Sequence, residues 1–340
     1  MQNNYTYQGA LEASERIGWR VEDIIGGEKR LDFTKPFMPE SLAQVKRLSF
    51  LTPAEQRTLN QIRGHEYLAM FGLVEEFILP YVVDHARSQL SGDDYRVRAL
   101  LQFAGEEAKH IHLFRRFRQE FEAGFGSICD FIGPAEDVKR FVLSHSPLGV
   151  GISILHIEWM TLRHYIEGVR DNQDLDPQFK SLLKHHWLEE SQHTKLDTLI
   201  VKAVAADCTS EEIDQAFQEY AEIGAFLDNG IKQQTEFDVE SFVNATSRNL
   251  SKSEREEMTA AVQKGMRWTY LGTQGEKLEF ELGDDTKIPP AAANRPEKIP
   301  VVVFTCSHFL TVGRDHVDGH EIVDRHAVFA SQPAEAAAQG

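Results

Sequence analysis

Polar and apolar positions along most of this chain recur with the period of a helix, and start and stop signals cut the pattern into segments. Thr52-Pro53-Ala54-Glu55 is a capping box with proline at the first helical position. The helix it opens is predicted to run to about Arg87. Its stretch from Tyr67 to Val83 is almost wholly apolar, which requires a helix buried on every side, and Gly72 and Pro80 are expected to kink it. Ser91-Gly92-Asp93-Asp94 forms a turn and an N-cap, and a second helix follows to about Ala123. Residues 124–146 are glycine-rich and interrupted by Pro134, with room for one short helix over 135–143. Ser146-Pro147 then opens a third long helix ending near Asp171, and Asp176-Pro177 a fourth ending near Asp207. A second capping box, Thr209-Ser210-Glu211-Glu212, starts helical segments that continue to about Tyr270.

The connections between the four long helices are short, long, short. This predicts an all-α chain built on a four-helix bundle with one long crossover, the ferritin-like topology, with additional helices and a short irregular C-terminal segment. Residues 1–51 form an N-terminal helical and loop extension, 52–271 the bundle, and 272–340 a C-terminal extension. Within that extension Val301-Val302-Val303-Phe304-Thr305 is a strand candidate, and the alanine-rich end from Pro333 is expected to be disordered.

Two segments of this frame repeat each other. Glu106-Glu107-Ala108-Lys109-His110 lies in the second helix and Glu189-Glu190-Ser191-Gln192-His193 in the fourth. Each ends in Glu-x-x-His, a spacing that sets a carboxylate and an imidazole side by side on one helical face. Two such helices, each joined by a glutamate from another helix, supply the ligands of a carboxylate-bridged metal pair. The apolar stripes carry these residues inward. The second helix aligns Leu100, Phe103, Ala104, Glu107, His110, Ile111 and Phe114. The fourth aligns Leu182, His186, Glu190, His193, Asp197 and Ile200, and the third Ile154, Leu155, Glu158, Leu162 and Tyr165. Ionised carboxylates on such stripes cost several kcal/mol each unless a cation partners them. Four of them neutralise two divalent ions.

The first helix offers Glu66, Glu75 and Glu76. Antiparallel pairing about a turn near residues 91 and 92 sets position 76 opposite Glu107, which favours Glu76, whereas the stripe Leu68, Phe71, Glu75, Ile78, Val82 favours Glu75. Glu66 lies more than two turns away. His186 stands one turn before Glu190 and completes a His-x-x-x-Glu-x-x-His row. The expected set is therefore Glu76 (with Glu75 as the alternative), Glu107, His110, Glu158, His186, Glu190 and His193, holding two iron ions, with manganese as the other metal of suitable chemistry. His316-x-x-x-His320 in the tail is a much weaker metal-binding pattern.

Charge and composition narrow the function. A net charge of −17 is at odds with nucleic-acid binding. Neither a long apolar run nor a basic-then-apolar N-terminal segment is present, so no membrane span and no signal peptide are expected. The three cysteines lie far apart, which suits a reducing cytoplasm.

Over about residues 52–207 these features resemble the ferritin-like di-iron carboxylate superfamily. The histidine one turn before the second Glu-x-x-His most resembles the p-aminobenzoate N-oxygenase group, which converts aryl amines to nitroso or nitro compounds. The resemblance implies that Glu107 and Glu190 bridge the metals and that Glu76 (or Glu75) and Glu158 are terminal ligands. His110, His193 and His186 would supply the nitrogen ligands. It further implies an O2-activating di-iron oxygenase acting on a small organic substrate, with N-oxygenation of an amine as the named reaction, drawing on an electron donor and open to a homodimeric state. The soluble acyl-carrier-protein desaturases share the two Glu-x-x-His motifs but lack the third histidine. The alternatives are therefore a soluble fatty-acyl desaturase or oxygenase, and a non-enzymatic iron-storage or ferroxidase protein.

Overall fold

A computed structural model of the chain describes residues 5–272. The segment 301–305 and the His316/His320 pair lie outside the described residues. Regular structure among the described residues is helical throughout: α1 (Tyr7–Ile17), α2 (Glu40–Ala43), α3 (Pro53–Arg87), α4 (Asp94–Phe125), α5 (Ala135–Val142), α6 (Pro147–His164), α7 (Pro177–Ala206), α8 (Ser210–Thr246) and α9 (Lys252–Leu271).

Side-chain caps start the four bundle helices where the sequence places them. Thr52 and Glu55 cap α3 reciprocally, Asp93 accepts from the Tyr95 amide, Ser146 from Gly149 and Asp176 from Phe179. The helix α3 continues through Gly72 and Pro80, and α6 is extended by one wider turn of π-helix over Tyr165–Val169. Ser247, in the left-handed region at φ 54°, ends α8 and divides the last helical stretch into α8 and α9.

The bundle forms from two helix pairs, α3 with α4 and α6 with α7, joined by the crossover that carries α5. Every residue of the four apolar stripes named above is buried, including the glutamates and histidines that interrupt them. Around this frame, α8 packs across α6 and α3, α9 covers α8 and α6, and α1 lies against α4 and α7. Among the described residues, no helix is long and apolar enough to cross a membrane.

A polar chain fixes the crossover to the bundle. On α8, Gln234 accepts from the Ile132 amide at 2.8 Å and donates to the Asp130 carbonyl at 3.1 Å. The same amide group donates to Asp238 at 2.9 Å, and Arg63 of α3 donates to both Asp238 (3.3 Å) and Glu66. All four side chains are buried, so each donor matters: a broken bond here leaves a stranded polar group in the core.

In the outer layer, α9 approaches α2 closely at one glycine. A methyl group on Gly265 of α9 would sit 2.5 Å from the Leu42 carbonyl oxygen of α2, a backbone atom that cannot swing aside. Gly265→Ala is therefore expected to destabilise the protein by about 1–3 kcal/mol, read from urea unfolding; an unchanged midpoint would mean that α2 is not held against α9.

Candidate metal centre

Three helices converge their donors at mid-bundle: Glu75 from α3, Glu107 and His110 from α4, and His186, Glu190 and His193 from α7. The donors form two overlapping groups, Glu75–His110–His186–Glu190 and Glu107–His110–Glu190–His193. In each, one ligand atom from every residue lies within 4.8 Å of the others. All six residues are buried, and His110 and Glu190 belong to both groups.

The close contacts are informative because many are not hydrogen bonds. The His193 Nδ1 atom lies 2.8 Å from Glu107 Oε1 and 3.4 Å from Glu190 Oε2; His110 Nδ1 lies 3.2 Å from Glu190 Oε1. Yet both imidazole Nδ1 atoms, both Glu107 oxygens, Glu190 Oε1 and Glu75 Oε2 lack a hydrogen-bond partner. His186 Nε2 does bond Glu75 Oε1, at 3.1 Å, and sits 2.7 Å from Glu190 Oε1. Buried polar atoms are seldom left without partners. Here they aim at shared points instead of at each other, and an oxygen-and-imidazole set of this kind suits iron or manganese. The residues fit a metal pair.

A cross-brace holds the ring orientations. His110 on α4 bonds through Nε2 to Glu189 of α7 at 2.9 Å, and His193 on α7 bonds through Nε2 to Glu106 of α4 at 2.9 Å. The carboxylate accepts from Nε2–H, which turns Nδ1 toward the centre, the nitrogen a metal would take in place of its proton. Each motif's first glutamate thus serves the other motif's histidine. The braces have their own supports: Lys109 pairs with Glu189, while Gln102 and Ser14 donate to Glu106 at 2.9 and 3.2 Å. Trp19, following α1, stacks on His110 with ring centroids 6.1 Å apart, and the Lys109 ammonium sits 4.0 Å from the indole centroid.

Glu76 is corrected by the structure. It is partly exposed and pairs with Arg115 at 2.7 Å on the outer surface of α3 and α4, while Glu75 points inward. The pairing offset resolves position along the helix but not rotation about it; the apolar stripe resolves rotation, and it favoured Glu75. Glu158 is buried on α6 with Oε2 unpartnered, but it falls outside both tight groups. The sequence reading missed Glu106 and Glu189 as braces. Their signal was the doubled glutamate in both motifs. It also left Asp197 without a role, although Asp197 lies on the same stripe and neither of its oxygens has a partner.

Proton affinities follow from this packing. Burial alone would hold the His110 imidazolium below its usual range, but the adjacent Glu107 carboxylate and the hydrogen bond to Glu189 outweigh it and raise the group to about 9. His193 is likewise raised, burial being overcome by the charges of Glu190 and Glu107. Glu107 is pushed up by burial and drawn down further by His193 and His110, to about 2. His186 behaves oppositely: burial and the two neighbouring imidazoles keep it neutral. His65 and His164, also buried, are lowered to about 3, chiefly by desolvation.

No family model and no curated protein matches the chain. Among solved structures, it is similar to R2-like ligand-binding oxidase with an aerobically reconstituted Mn/Fe cofactor. The TM-score is 0.44 at 14% identity, over 82% of this chain and 96% of that one. A glycine-to-phenylalanine variant of the same oxidase, also with an aerobically reconstituted Mn/Fe cofactor, gives a TM-score of 0.46 at 14% identity, over 81% of this chain and 100% of that one.

Two outcomes follow from the geometry. Removing a brace by Glu189→Ala should weaken metal binding by about 10–100-fold in anaerobic titration, whereas Glu76→Ala should leave it unchanged. Equal effects would contradict the orientation of α3. In the metal-free protein, histidines whose folded pKa is raised stabilise fully below their unfolded value of 6.5 and lose that contribution as pH rises through about 9. Urea unfolding of the metal-free protein should therefore show stability falling between those limits. Bound metal, which displaces those protons, should abolish the fall.

Proposed function

We propose that this chain is an O2-activating oxygenase built on a pair of metal ions, two irons or iron with manganese, and that its substrate is a small amine that it N-oxygenates. The observation that carries this reading is the third imidazole. His186 Nε2 reaches Glu75 and Glu190, adding a nitrogen donor to the two supplied by the paired motifs. Glu75, Glu107, His110, His186, Glu190 and His193 would hold the metals, with Glu158 the further carboxylate. When bound, the metal pair supplies the redox chemistry that couples O2 reduction to oxygen-atom transfer.

The chain's own residues do the rest. Glu106 and Glu189 accept from Nε2–H of His193 and His110 and so fix which nitrogen faces the centre. Water is excluded by rings: Phe103 stacks on His193 at 4.1 Å, and Phe71 and Phe114 stand edge-on to His186 at 5.5 and 5.0 Å. The first oxidation balances as amine plus O2, two electrons and two protons giving a hydroxylamine and water. An external reductant must supply the electrons.

The test is anaerobic Fe(II) loading followed by O2 and reductant, with aryl amines and fatty acyl carriers offered in parallel and products read by mass spectrometry. Hydroxylamine, nitroso or nitro products from the amines are expected, with uptake near two ions per chain. Desaturated or hydroxylated acyl chains would overturn the substrate assignment, and uptake of many ions per chain would point to storage. His186→Ala should abolish amine oxidation.

A further inference from the structure

Asp197 takes no part in the interactions described so far. It lies on α7 four residues after His193, seven after Glu190 and eleven after His186, so these four side chains form one inward row at helical spacing. It is 1% exposed, neither carboxylate oxygen has a hydrogen-bond partner, and like Glu158 it stands outside the two tight donor groups.

The charges that bear on it are those of the centre, His193 from its own helix and Glu107 and Glu190, two of them negative. From α3 the facing group is Tyr81, whose hydroxyl is committed to the Pro147 carbonyl at 2.9 Å. Burying a carboxyl group with no donor costs several kcal/mol, and further carboxylates nearby add to that cost. A cation would offset it. The Cα–Cβ bonds of a helix tilt toward its N-terminus, which leans Asp197 back toward His193, a little over one turn or about 6 Å along the axis.

We propose that Asp197 is an eighth protein donor to the metal pair, serving the ion on the His193 side. The row on α7 then carries an imidazole at one end, His186, and a carboxylate at the other. The two metal positions become chemically unequal, since imidazole and carboxylate differ in the metals they favour. This inference rests on the metal reading of the site.

The test is anaerobic titration of the full chain with Fe(II), and separately with Mn(II), with bound metal counted by elemental analysis and Mn(II) followed by electron paramagnetic resonance. Wild type should bind two ions. Asp197→Asn, which keeps the shape and removes the charge, should weaken one of the two at least tenfold, leave the other unchanged, and alter the Mn(II) signal; Asp197→Glu should recover part of the loss. Without metal, Asp197→Asn should unfold at the same temperature as wild type or higher, because it relieves a buried unpaired acid. A merely structural aspartate would instead show a lower melting temperature with metal binding intact. Two ions bound by Asp197→Asn with wild-type affinity would overturn the inference and leave the metal pair standing. The same result with lost amine affinity would also overturn it, by assigning the carboxylate to the substrate's amino group. Failure of wild type to bind metal would remove the metal reading itself.

Discussion

The structure depends on one constraint: carboxylates from α3, α4, α6 and α7 are buried in the middle of an apolar bundle, where ionised groups without partners are costly. The molecule meets this constraint in two layers. Outer carboxylates find protein partners, as Glu189 does with Lys109 and His110 and Glu106 with Ser14, Gln102 and His193. Inner carboxylates are left with unpartnered oxygens facing equally unpartnered imidazole nitrogens. The outer layer is partnered within the protein, while the inner donors form groups that could hold a metal ion.

The same constraint explains why so much of the fold was legible. A buried glutamate or histidine interrupts an apolar stripe without breaking its period, so Glu107, His110, Glu158, Glu190 and His193 announced both the helix face and their own inward orientation. The caps were equally local signals, since Thr52 with Glu55 and Asp176 with Phe179 act across three residues. Choosing between Glu75 and Glu76 needed rotation about the helix, about 100° per residue, and only the neighbouring apolar residues carry that information. An estimate built on chain length between two helices could not supply it.

Other parts of the site were illegible because their partners are distant in sequence. Glu106 and Glu189 lie off the stripes of their own helices, and their work is done across the bundle on residues 87 and 79 positions away. The doubled glutamate in each motif is their one local mark, and it does not say which partner each would find. Trp19 and Ser14 are a stronger case, for neither belongs to the bundle, yet one ring covers His110 and one hydroxyl steadies the brace on His193.

That last arrangement sets an order of events during synthesis. Ser14 and Trp19 are made about ninety residues before their partners Glu106 and His110, and the braces they cover are complete only once Glu189 and His193 have been made. Contacts of such separation form late, after the long loops between them have closed. The N-terminal segment packs on both α4 and α7, so its docking face is complete only when both helices are in place. The wall over His110 and Glu106 is therefore supplied by a part of the chain that lies outside the four bundle helices.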